Sequence, residues 1–251
     1  GQHLFEERLN DGLRAEHSAN QLLRNEIESE IKRFETLLLN KGDPLSFLLD
    51  RKDDPIATRN IHSLLTNIVR REHAVHEVTI LSMQGEVITN IHPRDRSAGE
   101  GPPSPETFQS TAQGGLGPSY QSLKVVIPRF GKAAVGSPKR VEGRYSISMT
   151  VPLGEPAGAV LIALIDIDKL WQADAVEERN ERKENKRDYI LNQHKMLLTE
   201  IENTRYRPGD GMAHLNLASF DEAGDKDLEV HSYIGATDQL VYGTATSIPS
   251  L

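Results

Sequence analysis

The sequence predicts an α+β fold: a long N-terminal helix followed by two antiparallel-sheet subdomains, the second smaller or truncated. Three observations carry this prediction. Apolar residues keep a helical period through most of residues 3–39. From Val75 the period changes to that of strands. The strand-like runs 144–153 and 159–168 are joined by a connection so short that they must pair antiparallel. The expected division is 1–74 for the helices, 75–171 for the first sheet subdomain, and 172–251 for a linker helix and the smaller subdomain.

In the first helix, Leu23, Ile27, Ile31, Phe34 and Leu38 step by four, four, three and four, which sets them on one stripe. Glu26, Glu28, Glu30 and Lys32 lie largely off it, and Leu4, Leu9 and Leu13 extend the apolar pattern upstream. The run NKGDP at 40–44 is expected to stop this helix, because Gly and Pro are unfavourable in helix interiors. A short helix is expected over 44–50. A longer one is expected over 57–72, with Ile61, Leu64, Leu65, Ile68 and Val69 on its face. VHEVTILSMQGEVITNI then reads as strands 75–83 and 86–91 about a turn at Gln84 and Gly85.

Residues 92–119 form a Pro/Gly-rich connection with a turn or two of helix near 105–112. So long a connection inside a compact domain is usually functional or mobile. Strands are expected again at 120–130, 144–153 and 159–168, linked by GKAAVGSPKRVEG and GEPAG. Beyond Trp171, EERNERKENKRD at 177–188 has charges of both signs and no apolar face, the pattern of a solvated helix or linker. YILNQHKMLLTEI at 189–201 regains helical spacing, and weaker strands are expected around 214–221, 228–234 and 239–248.

Composition narrows the function classes. The chain has 251 residues, enough for one large domain or two small ones, and a net charge of −8. Its Lys and Arg are interleaved with acids, which argues against nucleic acid as a partner, since phosphate binding needs clustered cations. The absence of cysteine removes disulfides, thiolate nucleophiles and cysteine metal sites, and is compatible with an oxidising compartment. No window approaches the apolar length of a membrane span. The first residues, GQHLFEERLN, lack the features of a signal peptide. With no initial Met and an end directly after an apparent strand, the chain is expected to be a segment of a longer protein.

Chemical motifs are few. Ser29 and Lys32 have the S-x-x-K spacing of acyl enzymes, but they sit mid-helix without companion motifs, a chance match. His73 and His76 lack further metal ligands and are read as helix-end residues that complement the dipole. Asp221, Asp225 and Asp227 miss the spacing of a calcium loop, and the glycines at 114–119 lack the flanking strand and helix of a phosphate-binding turn. Asp166 and Asp168 are read as ending a strand. No nucleophile, base and orienter assemble, and nothing calls for a cofactor or metal, so the chain is not expected to be an enzyme.

Residues 144–171, RYSISMTVPLGEPAGAVLIALIDIDKLW, resemble the end of a PAS-like extracytoplasmic sensor of the Cache (PDC) family. The resemblance lies in the strand ending near Pro152, the Gly-bearing turn, the apolar strand and the D-x-D-x-L exit at Asp166, Asp168 and Leu170. VTILSMQGEVITN is similar to the family's opening hairpin. The long first helix and the strands of the tail resemble the tandem form, double Cache. That resemblance implies two PAS-like subdomains in the periplasmic or extracellular part of a bacterial inner-membrane receptor, such as a histidine kinase, chemoreceptor or diguanylate cyclase. It also implies transmembrane helices on both sides of this segment, and a small ligand held between the first sheet and the long crossover. Amino-acid-binding members carry an R-x-W-Y signature there, whereas this crossover has no tryptophan.

Strand alternation supplies the expected site. In RYSISMTV, Tyr145, Ile147, Met149 and Val151 make one face, assigned to packing on the N-terminal helix. Arg144, Ser146 and Ser148 make the other, with Thr150, and Tyr120 and Ser122 begin a neighbouring strand. This polar face either lines a small cavity or faces water, as one side of an antiparallel sheet can. Arg144 and Arg94 favour an organic acid or another anion as ligand. The rival reading is a structural module that binds no small molecule and acts through a protein partner or a homodimer along the N-terminal helix.

Overall fold

The structure, a computed structural model, describes residues 1–92, 127–141, 144–155, 157–170, 189–192, 194–199, 201, 204–212, 231–234 and 240–243. The chain divides into two compact units, 32–170 and 1–31 together with 171–251.

Helix α1 runs Gln2–Leu49 and belongs in part to each unit. Leu23, Ile27, Ile31, Phe34 and Leu38 are all buried, so the stripe read from the sequence is the one that packs. NKGDP does not stop the helix: Pro44 lies inside it, and the expected helix at 44–50 is its last turns. Burial explains why. Leu45 continues the stripe at full burial. A methyl group on Gly42 would lie 3.9 Å from Val151 Cγ1 and 4.0 Å from Leu153 Cδ2, so the helix backbone meets a strand there. Burying a leucine contributes roughly 2–3 kcal/mol, comparable to the roughly 3 kcal/mol that an interior proline costs.

Helix α2, Pro55–Arg71, starts where Asp54 Oδ1 accepts the Ile56 N–H at 2.9 Å, with proline at the first turn. It buries Ala57, Ile61, Leu65 and Ile68. Arg33 of α1 donates to both carboxylate oxygens of Glu72, at 2.9 and 2.7 Å, and so ties α1 to the end of α2.

The strands of this unit are β1 (Val75–Ser82), β2 (Val87–Ile91), β3 (Ala134–Val135), β4 (Lys139–Val141), β5 (Arg144–Leu153) and β6 (Ala159–Asp166), followed by the short helix α3 (Ile167–Leu170). They form one antiparallel sheet in the order β2-β1-β6-β5-β3, with β4 also pairing β5. The β1–β2 and β5–β6 turns use glycine at positive φ, Gly85 at 86° and Gly154 at 88°. The expected strand over 120–130 is not a strand in its described part, 127–130. Instead GKAAVGSPKRVEG, expected as a link, supplies β3 and β4. The reason is the second edge of β5. With β6 on one side, its other row of N–H and C=O groups takes partners from the segment just before it.

In the other unit, the described residues of 189–201 do not form the expected helix. Asn192 Oδ1 accepts the N–H groups of His194 and Met196, each at 2.9 Å, and Lys195 has φ 58°. Such side-chain bonds compete with helical ones. Isolated bridges join Leu191 to Leu197 and Met196 to Gly211 around a cluster of Leu197, Ile201, Tyr206 and Met212. Strands β7 (His231–Ile234) and β8 (Leu240–Gly243) pair antiparallel, within the last two strand regions expected from the sequence. The expectations for 105–112, 177–188 and the strand around 214–221 lie outside the described residues.

Candidate functional site

The two faces of β5 are both buried. Tyr145, Ile147, Met149, Val151 and Leu153 lie on one side, and Gly42 places α1 over its Val151 and Leu153 end. On the other side Ser146, Ser148 and Thr150 are 1%, 4% and 1% exposed, so this face is not the water-facing side of the sheet.

Register extends the polar face across four strands. Ser146 stands opposite Asp166 on β6, Ser148 opposite Leu164 and Thr150 opposite Ile162. Across β6, Leu164 stands opposite Glu77 of β1 and Ile162 opposite Thr79, and Thr79 in turn faces Asn90 of β2. Leu164 therefore lies between Ser148 on one side and Glu77 on the other. Glu77, Thr79 and Asp166 are as buried as the serines. Towards the other end the face turns apolar, with Leu81, Val160, Ile162 and Leu164 in one cluster against which Met83 and Ile127 pack.

Hydrogen bonds fix much of this face. The Asn90 amide donates to Glu77 Oε1 at 2.6 Å and to Thr79 Oγ1 at 2.7 Å, and His92 Nδ1 lies 3.2 Å from Asn90 Oδ1. Asp166 Oδ1 accepts the Asp168 N–H at 3.0 Å, which caps the start of α3. The Gly136 N–H donates to Ser148 O at 2.7 Å, and a side chain at 136 would collide with Ser148 Oγ. Ser146 Oγ is buried and has no hydrogen-bond partner among the described residues. A buried hydroxyl left in that state is disfavoured by about 1–3 kcal/mol.

Of the residues expected from the sequence, Ser146 and Ser148 come together on this face. Arg144 begins β5 opposite Val141, and only its backbone is described. Arg94, Tyr120 and Ser122 lie outside the described residues. Sequence reading missed Glu77, Thr79 and Asn90. The signal was present, since Glu77 and Thr79 alternate with Val78 and Ile80 in VHEVTILS, a polar set on a strand whose other side is apolar. His76, read as a helix-end residue, instead lies in β1, because α2 stops at Arg71. Ser29 and Lys32 are exposed on α1. Among the described residues no group of His, Asp or Glu is placed to hold a metal ion, and no helix is long and apolar enough to cross a membrane.

Comparison with solved structures places this architecture. Over 96% of its length the chain matches 88% of the ligand-binding domain of the Campylobacter jejuni chemoreceptor Tlp3, solved with L-norvaline, at a TM-score of 0.57 and 11% identity. It matches the extracellular domain of a protein assigned as the histidine kinase vpHK1S-Z8 at a TM-score of 0.54 and 12% identity, covering 80% of this chain and 72% of that one. A domain of a protein assigned to the sensory box/GGDEF family of Vibrio parahaemolyticus matches at 0.51 and 12% identity, covering 78% and 74%. The chain shares the fold of these sensory domains. The sequence resemblance to Cache domains and the α+β class therefore agree with the folded chain. No protein-family model and no curated protein sequence matches it.

Proposed function

We propose that the chain is the ligand-binding sensor domain of a bacterial signal-transduction receptor, without catalytic activity, and that the face bearing Ser146 and Ser148 receives a small polar metabolite. One observation carries the reading. On β5 the serine side is buried as fully as the apolar side, in a fold shared with sensory ligand-binding domains. Polar strand faces reach that burial at a desolvation cost that a bound ligand's hydrogen bonds offset. Arg94 and Arg144 add donors suited to a carboxylate. The receptor would be anchored by transmembrane helices flanking this segment, with the domain in the periplasm. Ligand would act by favouring one of two conformations of the domain.

A thermal-shift screen with organic acids, amino acids, amines and polyols tests the proposal. Stabilisation by one chemical class, lost in Ser146→Ala or Arg144→Ala, supports it. If no class shifts the midpoint, the sensor reading fails. The second reading, dimerisation along α1 with no small ligand, is favoured by Leu4, Phe5 and Leu22, which are 62%, 60% and 65% exposed. These are the residues to replace in testing it, because Ile27 and Phe34 are buried and their loss would unfold the helix packing instead.

A further inference from the structure

Resting on the sensor reading of this same face, the geometry points to Glu77 as the residue that recognises charge: we infer that the ligand carries a cationic nitrogen, an ammonium or guanidinium group, which docks on the Glu77 carboxylate. Glu77 is fully buried in the middle of the sheet, on β1. Its Oε1 is positioned by the Asn90 amide at 2.6 Å, and Thr79 Oγ1 is held by the same amide at 2.7 Å. The carboxylate is therefore oriented before any ligand arrives, which is what a charge-recognising group requires. Asp166, 2% exposed on the same face, contributes the same sign of potential. Its own Oδ1 is occupied in capping α3 through the Asp168 N–H, so its place is structural.

Ser146 supplies the independent sign of a ligand. Its hydroxyl is buried, lacks a hydrogen-bond partner among the described residues, and stands on the same face two strands from β1. Ser146 lies two strand spacings, about 10 Å, across the sheet from Glu77 and two residues, about 7 Å, further along it, so a metabolite about 12 Å long spans the two. Leu164 lies between Glu77 and Ser148 as an apolar floor. Lys139 stands opposite Ser146 on β4 and is half-buried, and it favours an accepting end of the ligand on that side. The cationic end of the ligand lies at β1, and a hydrogen-bond-accepting or anionic end lies at the β5 edge.

The test measures binding to the intact domain by calorimetry with four probe sets: simple amines and guanidines, amino acids, carboxylates without nitrogen, and polyols. Binding restricted to compounds with a cationic nitrogen is expected. Glu77→Gln, which keeps the Asn90 contact, should weaken it about 10- to 100-fold. Asp166→Asn, which keeps the Asp168 N–H contact, should weaken binding less than Glu77→Gln does. Should Glu77→Gln fail to fold, Asn90→Ala serves instead, with weaker binding and the same preference among probes. Binding of nitrogen-free carboxylates or polyols alone would overturn the inference while leaving the sensor reading standing. Loss in Asp166→Asn but not in Glu77→Gln would also overturn it, moving recognition to the end of β6. Silence from all four sets would overturn the inference and the sensor reading together.

Discussion

The two faces of the central sheet are equally dry and differ in what makes them so. On one, Ile147, Met149 and Val151 pack in a layer that α1 joins at Gly42, and burial itself is the stabilising term. On the other, Ser146, Ser148, Thr150, Thr79 and Glu77 occupy equivalent positions with polar groups whose burial opposes folding unless each is hydrogen-bonded. Neighbouring residues on one strand thus do opposite work. The apolar side holds the unit together, and the polar side is the one we propose receives the ligand.

Substitutions that separate the two faces follow in order of effect. Ile147→Ala removes a fully buried side chain from the apolar side and should destabilise the domain by about 2–5 kcal/mol, read from urea unfolding, with no change in ligand preference. A loss below about 1 kcal/mol would mean that the apolar face is loosely packed. Asn90→Ala strips the donor from both Glu77 and Thr79 and should cost about 1–3 kcal/mol. Equal stability would indicate that water or another group replaces the amide.

Smaller effects probe the β5 edge. Gly136→Ala forces the Ser148 hydroxyl out of its present position, which a serine accommodates by turning to another staggered rotamer. Stability should fall by about 1 kcal/mol or less while ligand affinity changes more, because the hydroxyl now points elsewhere. Smallest of all is Ser146→Ala. Since Ser146 Oγ has no partner among the described residues, its removal should leave the unliganded domain within about 0.5 kcal/mol of the parent, or slightly more stable. The same change should abolish part of the ligand-induced rise in melting temperature. A large destabilisation without ligand would mean that the hydroxyl serves the fold.

Much of this was legible in the residues themselves. The α1 stripe, the β1–β2 hairpin and the β5–β6 hairpin follow from periodicity and glycine placement, because local spacing decides which side chains share a face. The same spacing separated Ser146 and Ser148 from Ile147. Local signals failed where distant partners decided. NKGDP reads as a stop, yet burial of Leu45 and the contact of Gly42 with β5 carry the helix through it. The segment 189–201 keeps a helical spacing that Asn192 and the bridge to Gly211 override. The link before β5 becomes strand because β5 has an edge to fill.

The sequence by itself determined the α+β class, the chief hairpins and the polar alternation of β5, since each depends on neighbours a few positions apart. Only the tertiary structure decided that the polar face is buried and that Glu77 and Asn90 belong to it. Those residues reach Ser146 through the insertion of β6 between β1 and β5, a pairing between strands more than seventy residues apart in the chain that no local period encodes.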